Sequence, residues 1–241
     1  MKLLIIRHAD PDYEKDSLTE KGWREAELLS NRMSAMDIKA FYVSPLGRAR
    51  DTANVTLNKM NRTAEVLPWL REFHAPIYDE TLVRERICWD LLPQDWTIVK
   101  EYYHKDLWYT APVMKKGNVI SEAQKVFEGI DSILERNGYI REGNFYRAMN
   151  PNRDTIVLFC HFGVECVILS HLLGISPVLL WHGFCASPSS VTTLVTEERR
   201  KGIAYFRMLS FGDTSHLYIA GEAPSFSARF CETFDSDERH D

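Results

Sequence analysis

Four apolar residues, Leu3 to Ile6, run without interruption into Arg7, His8, Ala9 and Asp10. A short apolar run closed by charge reads as a buried strand, and a strand so placed delivers its last residues to the carboxyl edge of a sheet. In open α/β sheets that edge is where ligands bind, so Arg7 and His8 are presented side by side to a crevice. A guanidinium next to an imidazole suits an anionic guest.

The remaining sequence supplies the other elements of such a sheet. Ser17-Leu18-Thr19-Glu20-Lys21-Gly22 leads into an amphipathic run ending near Met36, with Trp23, Ala26, Leu29 and Met33 at helical spacing and Thr19 as N-cap. A short strand is expected over Ala40 to Val43, closed by Ser44-Pro45, then a helix from Arg48 carrying Ala49, Thr52, Ala53 and Leu57. Ala64 to Leu67 reads as a third strand, and Ser121 to Asn137 as a helix with Val126, Ile130 and Ile133 on one face. Thr155 to Cys160 is a β-prone buried strand, followed at once by a helix over 164–173. Two further strands, Val191 to Thr196 and Ala204 to Ser210, are separated by a charged turn, Glu197 to Gly202. This alternation predicts a three-layer α/β/α sandwich with a mainly parallel sheet and a terminal hairpin.

With 241 residues, 45% of them hydrophobic, and no linker, repeat or low-complexity tract, the chain reads as a single domain over 1–241. Residues 76–118 differ from their flanks. They are rich in aromatics (Tyr78, Trp89, Trp96, Tyr102, Tyr103, Trp108, Tyr109), carry Pro76, Pro93 and Pro112, and show no strand alternation, which suggests a helical or irregular, lid-like insert. A net charge of −5 argues against a general nucleic-acid surface. The five cysteines (Cys88, Cys160, Cys166, Cys185, Cys231) are scattered, contain no C-x-x-C pair and read as reduced core thiols. Leu3 to Ile6 is too short for a signal-peptide core and no segment reaches transmembrane length, so a cytoplasmic chain that does not engage a membrane is expected.

Three strands end in candidate functional groups: Arg7-His8, Arg48 after the second, and His161 after Thr155 to Cys160. Each alone reads as a capping, surface or loop residue, but their recurrence at one kind of position directs them toward one crevice. Arg7-His8-Ala9, then Leu18-Thr19-Glu20-Lys21-Gly22, then Ser44-Pro45-Leu46-Gly47-Arg48-Ala49-Arg50-Asp51-Thr52-Ala53, then Cys160-His161-Phe162-Gly163 closely resemble the motifs of the histidine phosphatase superfamily in its phosphoglycerate-mutase-like branch. The resemblance extends over about residues 1–75 and 153–211. It departs at Ala9, where the family usually has glycine.

The resemblance implies His8 as the nucleophile that carries the phosphoryl group as phosphohistidine. It implies Arg7, Arg48 and His161 as donors to the phosphate oxygens, with His161 also counted among the catalytic residues, and it calls for no metal and no other cofactor. The matching acid is Glu72, in Leu70-Arg71-Glu72-Phe73-His74, which has to hold its proton although a free Glu titrates near ~4.3. Glu85, between Arg84 and Arg86, is a second candidate. The implied activity is a phosphatase acting on a small phosphorylated substrate. A phosphoglycerate-mutase-type enzyme is the alternative, although Phe73-His74-Ala75-Pro76 stands where the family's mutases carry a Tyr-Gly-x-Leu-x-Gly-like sequence. A non-catalytic phosphate-binding or interaction module is the third reading, opposed by the intact His8, Arg48, His161 and candidate acid. Arg50 reads as a surface ion-pair residue, His171 and His182 as ordinary packed histidines, and Phe234 to Asp241 as a frayed end. Substrate identity and oligomeric state are not set by these residues.

Overall fold

The computed structural model of the chain describes residues 1–79, 84–227, 233 and 235; Cys231 and all of the Phe234 to Asp241 tail except Asp235 lie outside the described residues. β1 (Lys2–Arg7) is followed by a small ribbon, β2 (Pro11–Asp12) and β3 (Ser17–Leu18), then α1 (Glu20–Ser34), β4 (Ala40–Val43), α2 (Gly47–Met60) and β5 (Glu65–Val66). After a 3-10 turn at Pro68–Leu70 come a second ribbon, β6 (Pro76–Asp79) and β7 (Arg84–Ile87), then α3 (Pro93–Trp96), 3-10 turns at Lys100–Tyr103 and Trp108–Thr110, and α4 (Pro112–Lys116). The chain continues with α5 (Val119–Arg136), β8 (Tyr139–Glu142), β9 (Phe145–Ala148), β10 (Thr155–Cys160), α6 (Phe162–Leu173), α7 (Pro177–Gly183), β11 (Val191–Arg200), β12 (Ile203–Asp213) and α8 (Ser215–Ile219).

Eight strands form one mixed sheet in the order β5-β4-β10-β1-β11-β12-β9-β8. The first four run parallel and the rest join antiparallel. The inner parallel strands β1, β4 and β10 are buried on both faces, and their apolar sequences sort by alternation. Leu3, Ile5, Ile156 and Leu158 pack with Val126, Ile130 and Ile133 of α5 and Val167 and Ile168 of α6. Leu4, Ile6, Val157 and Phe159 face the other way, onto Leu29 and Met33 of α1 and Ala53 and Leu57 of α2. Helices thus cover both faces, as the alternation of elements predicts.

Thr19 caps α1, its side chain accepting the Gly22 amide at 3.0 Å. β11 and β12 are longer than the sequence suggests. The charged run Glu197 to Arg200 continues β11, steadied by an Arg207–Glu197 pair at 2.7 Å, and the turn shrinks to Lys201-Gly202, with Gly202 at φ 82. Side chains that project beyond the covering helices need no apolar partner, so their charge is no bar to a strand. The β8–β9 hairpin was not foreseen; its turn is marked only by Gly143, at φ 59.

The 76–118 segment contains the antiparallel β6–β7 ribbon besides its short helices. Its Tyr102, Trp108, Ala111 and Met114 are buried in the same cluster as α5 and α6, so the segment shares the core of the main body.

Candidate active site

β1, β4 and β10 run parallel and end at one edge, where their next residues supply the polar groups. His8 extends the sheet pairing, its amide donating to Cys160 O and its carbonyl accepting from Ser189 N, both at 3.0 Å. Its ring lies 2.8 Å from the Ala9 carbonyl through Nδ1. A carbonyl only accepts, so Nδ1 carries the proton and Nε2 the lone pair. No hydrogen bond occupies Nε2 among the described residues. Burial, then Arg7 and Arg48, hold the imidazole well below its ordinary pKa against the opposing pull of the Ala9 carbonyl.

His161 follows β10 and is fully buried, its ring centroid 5.1 Å from that of His8. Its Nε2 sits 2.8 Å from Ser44 Oγ, which also accepts the Leu46 amide at 3.2 Å. A Ser44 hydroxyl donating to Nε2 puts the proton of a neutral His161 on Nδ1. That Nδ1 is buried and has no partner. Burial, His8 and the surrounding arginines keep this ring neutral too.

Arg7 is buried, donating through one nitrogen to Ala186 O and through another to Ser227 O at 3.2 Å, with the Phe162 ring centroid 6.0 Å from its Cζ. Arg48 stands in the first turn of α2. One of its terminal nitrogens is 2.7 Å from Asp16 Oδ1, its Cζ lies 5.4 Å from the Tyr13 ring centroid, and its buried Nε has no partner. Asp51, on the same helix, accepts the Ser17 hydroxyl at 2.6 Å, and Arg50 is exposed.

Glu72 approaches the start of α6, where its Oε1 accepts Phe73 N at 2.7 Å and Val164 N at 3.2 Å. Burial raises its pKa; these amides and Arg7 pull the other way without overcoming it. A Cβ on Gly163 would stand 2.7 Å from Glu72 Oε1 and 2.9 Å from Trp89 Nε1, so any side chain there displaces the carboxyl or the indole. Arg7, His8, Arg48 and His161 therefore stand close enough to act on one another electrostatically, and Glu72 lies within reach of Arg7. Glu85, the second candidate acid, is exposed on β7, outside this group.

Several supporting groups escaped the sequence reading. Asp16 and Ser44 hold Arg48 and His161. Asp10 accepts hydroxyls from Thr19 at 2.6 Å and Ser227 at 2.5 Å as well as from Ser225, while buried Glu25 accepts the Asp10 and Ser225 amides at 3.0 Å. These bonds fasten Ser225 to Ser227 onto the loop after His8. Ser44 stood inside a quoted motif, whereas Asp16 and the serines, far away in sequence, had no local signal. Cys88, Cys160 and Cys166 are buried thiols, but Cys185 is exposed. His171 pairs with Asp131 at 2.8 Å, and His182 accepts the Leu91 amide at 3.0 Å, both in packing roles. Among the described residues no three His, Cys, Asp or Glu side chains are grouped to hold a metal ion, and no helix is long and apolar enough to cross a membrane.

Residues 3–101, which include Arg7, His8, Arg48 and Glu72, match the Histidine phosphatase superfamily (branch 1). Over that part the chain is similar to the histidine phosphatase superfamily. It is 36% identical over 69 residues to the 2,3-bisphosphoglycerate-dependent phosphoglycerate mutase of Thermoplasma acidophilum, a match over 24% of this chain and 34% of that protein. It is 22% identical over 241 aligned positions to a probable phosphatase of Schizosaccharomyces pombe, covering 90% and 95% of the two chains. Among solved structures of the same fold, phosphoserine phosphatase from Entamoeba histolytica, in complex with phosphoserine, superposes with a TM-score of 0.61 at 19% identity over 90% of this chain and 98% of its own. Mycobacterial glucosyl-3-phosphoglycerate phosphatase in complex with VO3 gives 0.57 at 16% identity over 88% and 99%. At these identities the likeness is one of fold: a mixed sheet with a parallel core, flanked by helices.

Proposed function

We propose that this protein is a histidine phosphatase, a metal-independent enzyme that hydrolyses a small phosphate monoester through a phosphohistidine on His8. The observation that carries the reading is the His8 Nδ1–H bond to the Ala9 carbonyl, which leaves a neutral imidazole with its lone pair on Nε2. That lone pair attacks phosphorus, the ester P–O bond breaks, and the electron pair leaves on the alcohol oxygen, which takes the proton of Glu72. Water then attacks the phosphohistidine, the N–P bond breaks, its electron pair returns to Nε2, and the Glu72 carboxylate takes a proton from the water. Arg7, Arg48 through its unpartnered Nε edge, and His161 through Nδ1–H meet the charge that builds on the other phosphoryl oxygens. Two structural relatives named as phosphatases of phosphorylated metabolites support the reaction type.

A mutase is the second reading, favoured by the 36% match to a phosphoglycerate mutase. The sequence after Glu72, Phe73-His74-Ala75-Pro76, speaks against it.

The test is phosphate release from an aryl phosphate in excess chelator. Wild type is expected to turn over, to form an acid-labile, base-stable phosphoprotein, and to lose at least about a thousandfold in kcat on His8→Ala. Comparable hydrolysis by both proteins would sink the assignment of His8. Glu72→Gln is expected to slow alkyl esters far more than aryl esters, whose leaving groups need less protonation. Isomerisation of 3-phosphoglycerate outrunning its hydrolysis would establish the mutase instead.

A further inference from the structure

Ser189 is fully buried and adopts a left-handed backbone, φ 59, in the turn that leads into β11. A residue other than glycine holds that conformation only where its surroundings impose it. Two bonds impose it here. The Ser189 amide donates to the His8 carbonyl at 3.0 Å, and the Ser189 hydroxyl lies 3.1 Å from Nε2 of His216. Glycine would take up the same backbone without strain, so what serine adds at this position is the hydroxyl.

His216 is 7% exposed, and its Nδ1 is buried without a partner. Burial, with Arg32 acting in the same direction, pushes its pKa down to about 4, so the ring is neutral above that pH. The helix that carries it is fixed in turn. Asp213 accepts the Ser215 amide at the start of α8 at 2.8 Å through Oδ1, while its Oδ2 lies 2.7 Å from a guanidinium nitrogen of Arg32 on α1. The proposed reaction makes no use of this imidazole.

At the other end of these bonds is the backbone of His8. The peptide between His8 and Ala9 is held at both polar atoms, the His8 carbonyl by Ser189 and the Ala9 amide by Thr52 Oγ1 at 3.0 Å. The next carbonyl along, that of Ala9, is the one bonded to His8 Nδ1 at 2.8 Å. A peptide unit moves as one plane, so turning the His8–Ala9 peptide shifts that carbonyl relative to the ring. We propose that Ser189 and His216 are positioning residues for His8: their buried hydroxyl–imidazole bond holds the turn whose amide fixes the His8 main chain, and with it the bond from Nδ1 to Ala9. The inference rests on His8 as the nucleophile. Both residues act through the His8 backbone, so their effect falls on kcat rather than on KM.

The full chain is compared as wild type, His216→Phe, His216→Gln, Ser189→Gly and the double variant His216→Phe/Ser189→Gly. Phenylalanine fills the space of the ring without a nitrogen, glutamine returns a polar group at the reach of Nε2, and glycine removes the hydroxyl while accepting the left-handed backbone. On an aryl phosphate, kcat is expected to fall about tenfold in His216→Phe and in Ser189→Gly with KM within about threefold, and the double variant to lose no more than the worse single, as for two groups that share one bond. His216→Gln should recover part of the loss. Nitrogen NMR shifts of the imidazoles, with His8 identified by the signals missing from His8→Ala, read the tautomer without turnover. The His8 signals should leave the Nδ1–H pattern in His216→Phe and Ser189→Gly and return toward it in His216→Gln. Values of kcat within about twofold of wild type in both single variants overturn the proposal. So do His8 signals that stay in place while kcat or thermal stability falls, which would assign the pair to stability alone. A wild type without turnover removes the phosphatase reading and leaves the NMR test standing: displaced His8 signals support the pair, and unmoved ones overturn it.

Discussion

Asp16 grips Arg48 and the helix that carries it at once: Oδ1 lies 2.7 Å from a guanidinium nitrogen, and Oδ2 accepts the Gly47 amide at 2.7 Å. Asp16 adopts a left-handed backbone, φ 47, and a Cβ on Gly47 would collide with its carbonyl oxygen, so the ribbon loop and the start of α2 fit in one arrangement only. The grip takes one terminal nitrogen of Arg48 and leaves Nε, buried and unpartnered, for a ligand.

Asp16→Ala should therefore act on binding. We expect KM for phosphate esters, and Ki for inorganic phosphate, to rise by about five- to twentyfold, as for loss of one charge-assisted hydrogen bond at a partly exposed site, with kcat within about threefold. Tighter phosphate binding would mean that Asp16 competes with the ligand for Arg48 rather than presenting it.

Ser44 orients His161 through Nε2. Ser44→Ala leaves that buried nitrogen without its donor and the tautomer unspecified, at a cost of about 1–2 kcal/mol in stability by analogy with other buried hydrogen bonds. Denaturant unfolding checks the stability, and kcat on an aryl phosphate is expected to fall at least about tenfold. Turnover within twofold of wild type would show that Ser44 does not set the His161 proton.

Gly163→Ala tests the packing around the proposed acid. Alanine gains roughly 1 kcal/mol of helix propensity over glycine, but its methyl would sit 2.7 Å from Glu72 Oε1 and 2.9 Å from Trp89 Nε1. The carboxyl or the indole has to move. We expect alkyl-ester turnover to drop more steeply than aryl-ester turnover while the thermal midpoint changes little. Parallel losses on both esters would separate Gly163 from the acid.

Buried titratable groups bound the pH range of stability from both sides. Glu25 and Glu165 are raised by burial from 4.5 to about 7, so the stability they permit is complete below 4.5 and is lost as pH rises through 7. His8 and His161 are depressed below 6.5, so their contribution is complete above 6.5 and is lost as pH falls. The thermal midpoint is expected to peak between about pH 5 and pH 6.5. Glu165, 1% exposed and with neither oxygen in hydrogen-bonding geometry, dominates the alkaline side with Glu25, so Glu165→Gln should flatten the fall toward pH 8. A midpoint that climbs steadily to pH 8 contradicts the expectation.

The sheet was legible because its strands are short and buried on both faces, which leaves runs such as Leu3 to Ile6 and Thr155 to Cys160 almost without polar letters. The β8–β9 hairpin and the outer half of β11 were not, because exposed strands carry Tyr, Arg and Glu with no burial to shape their pattern. In the site, Arg7, His8, Arg48 and His161 were readable since each follows or adjoins a strand end, a position that sequence marks.

By itself the sequence determined which chemical groups the strand ends offer: two histidines, two arginines and a neighbouring carboxyl. Tertiary structure alone decided their states. Ser44 from another strand end meets His161, Asp16 from another loop sets which edge of Arg48 is open, and burial against α6 raises the pKa of Glu72. Tautomer, rotamer and pKa depend on distances of a few ångströms between groups far apart in the chain, and those distances come into being only when the layers pack.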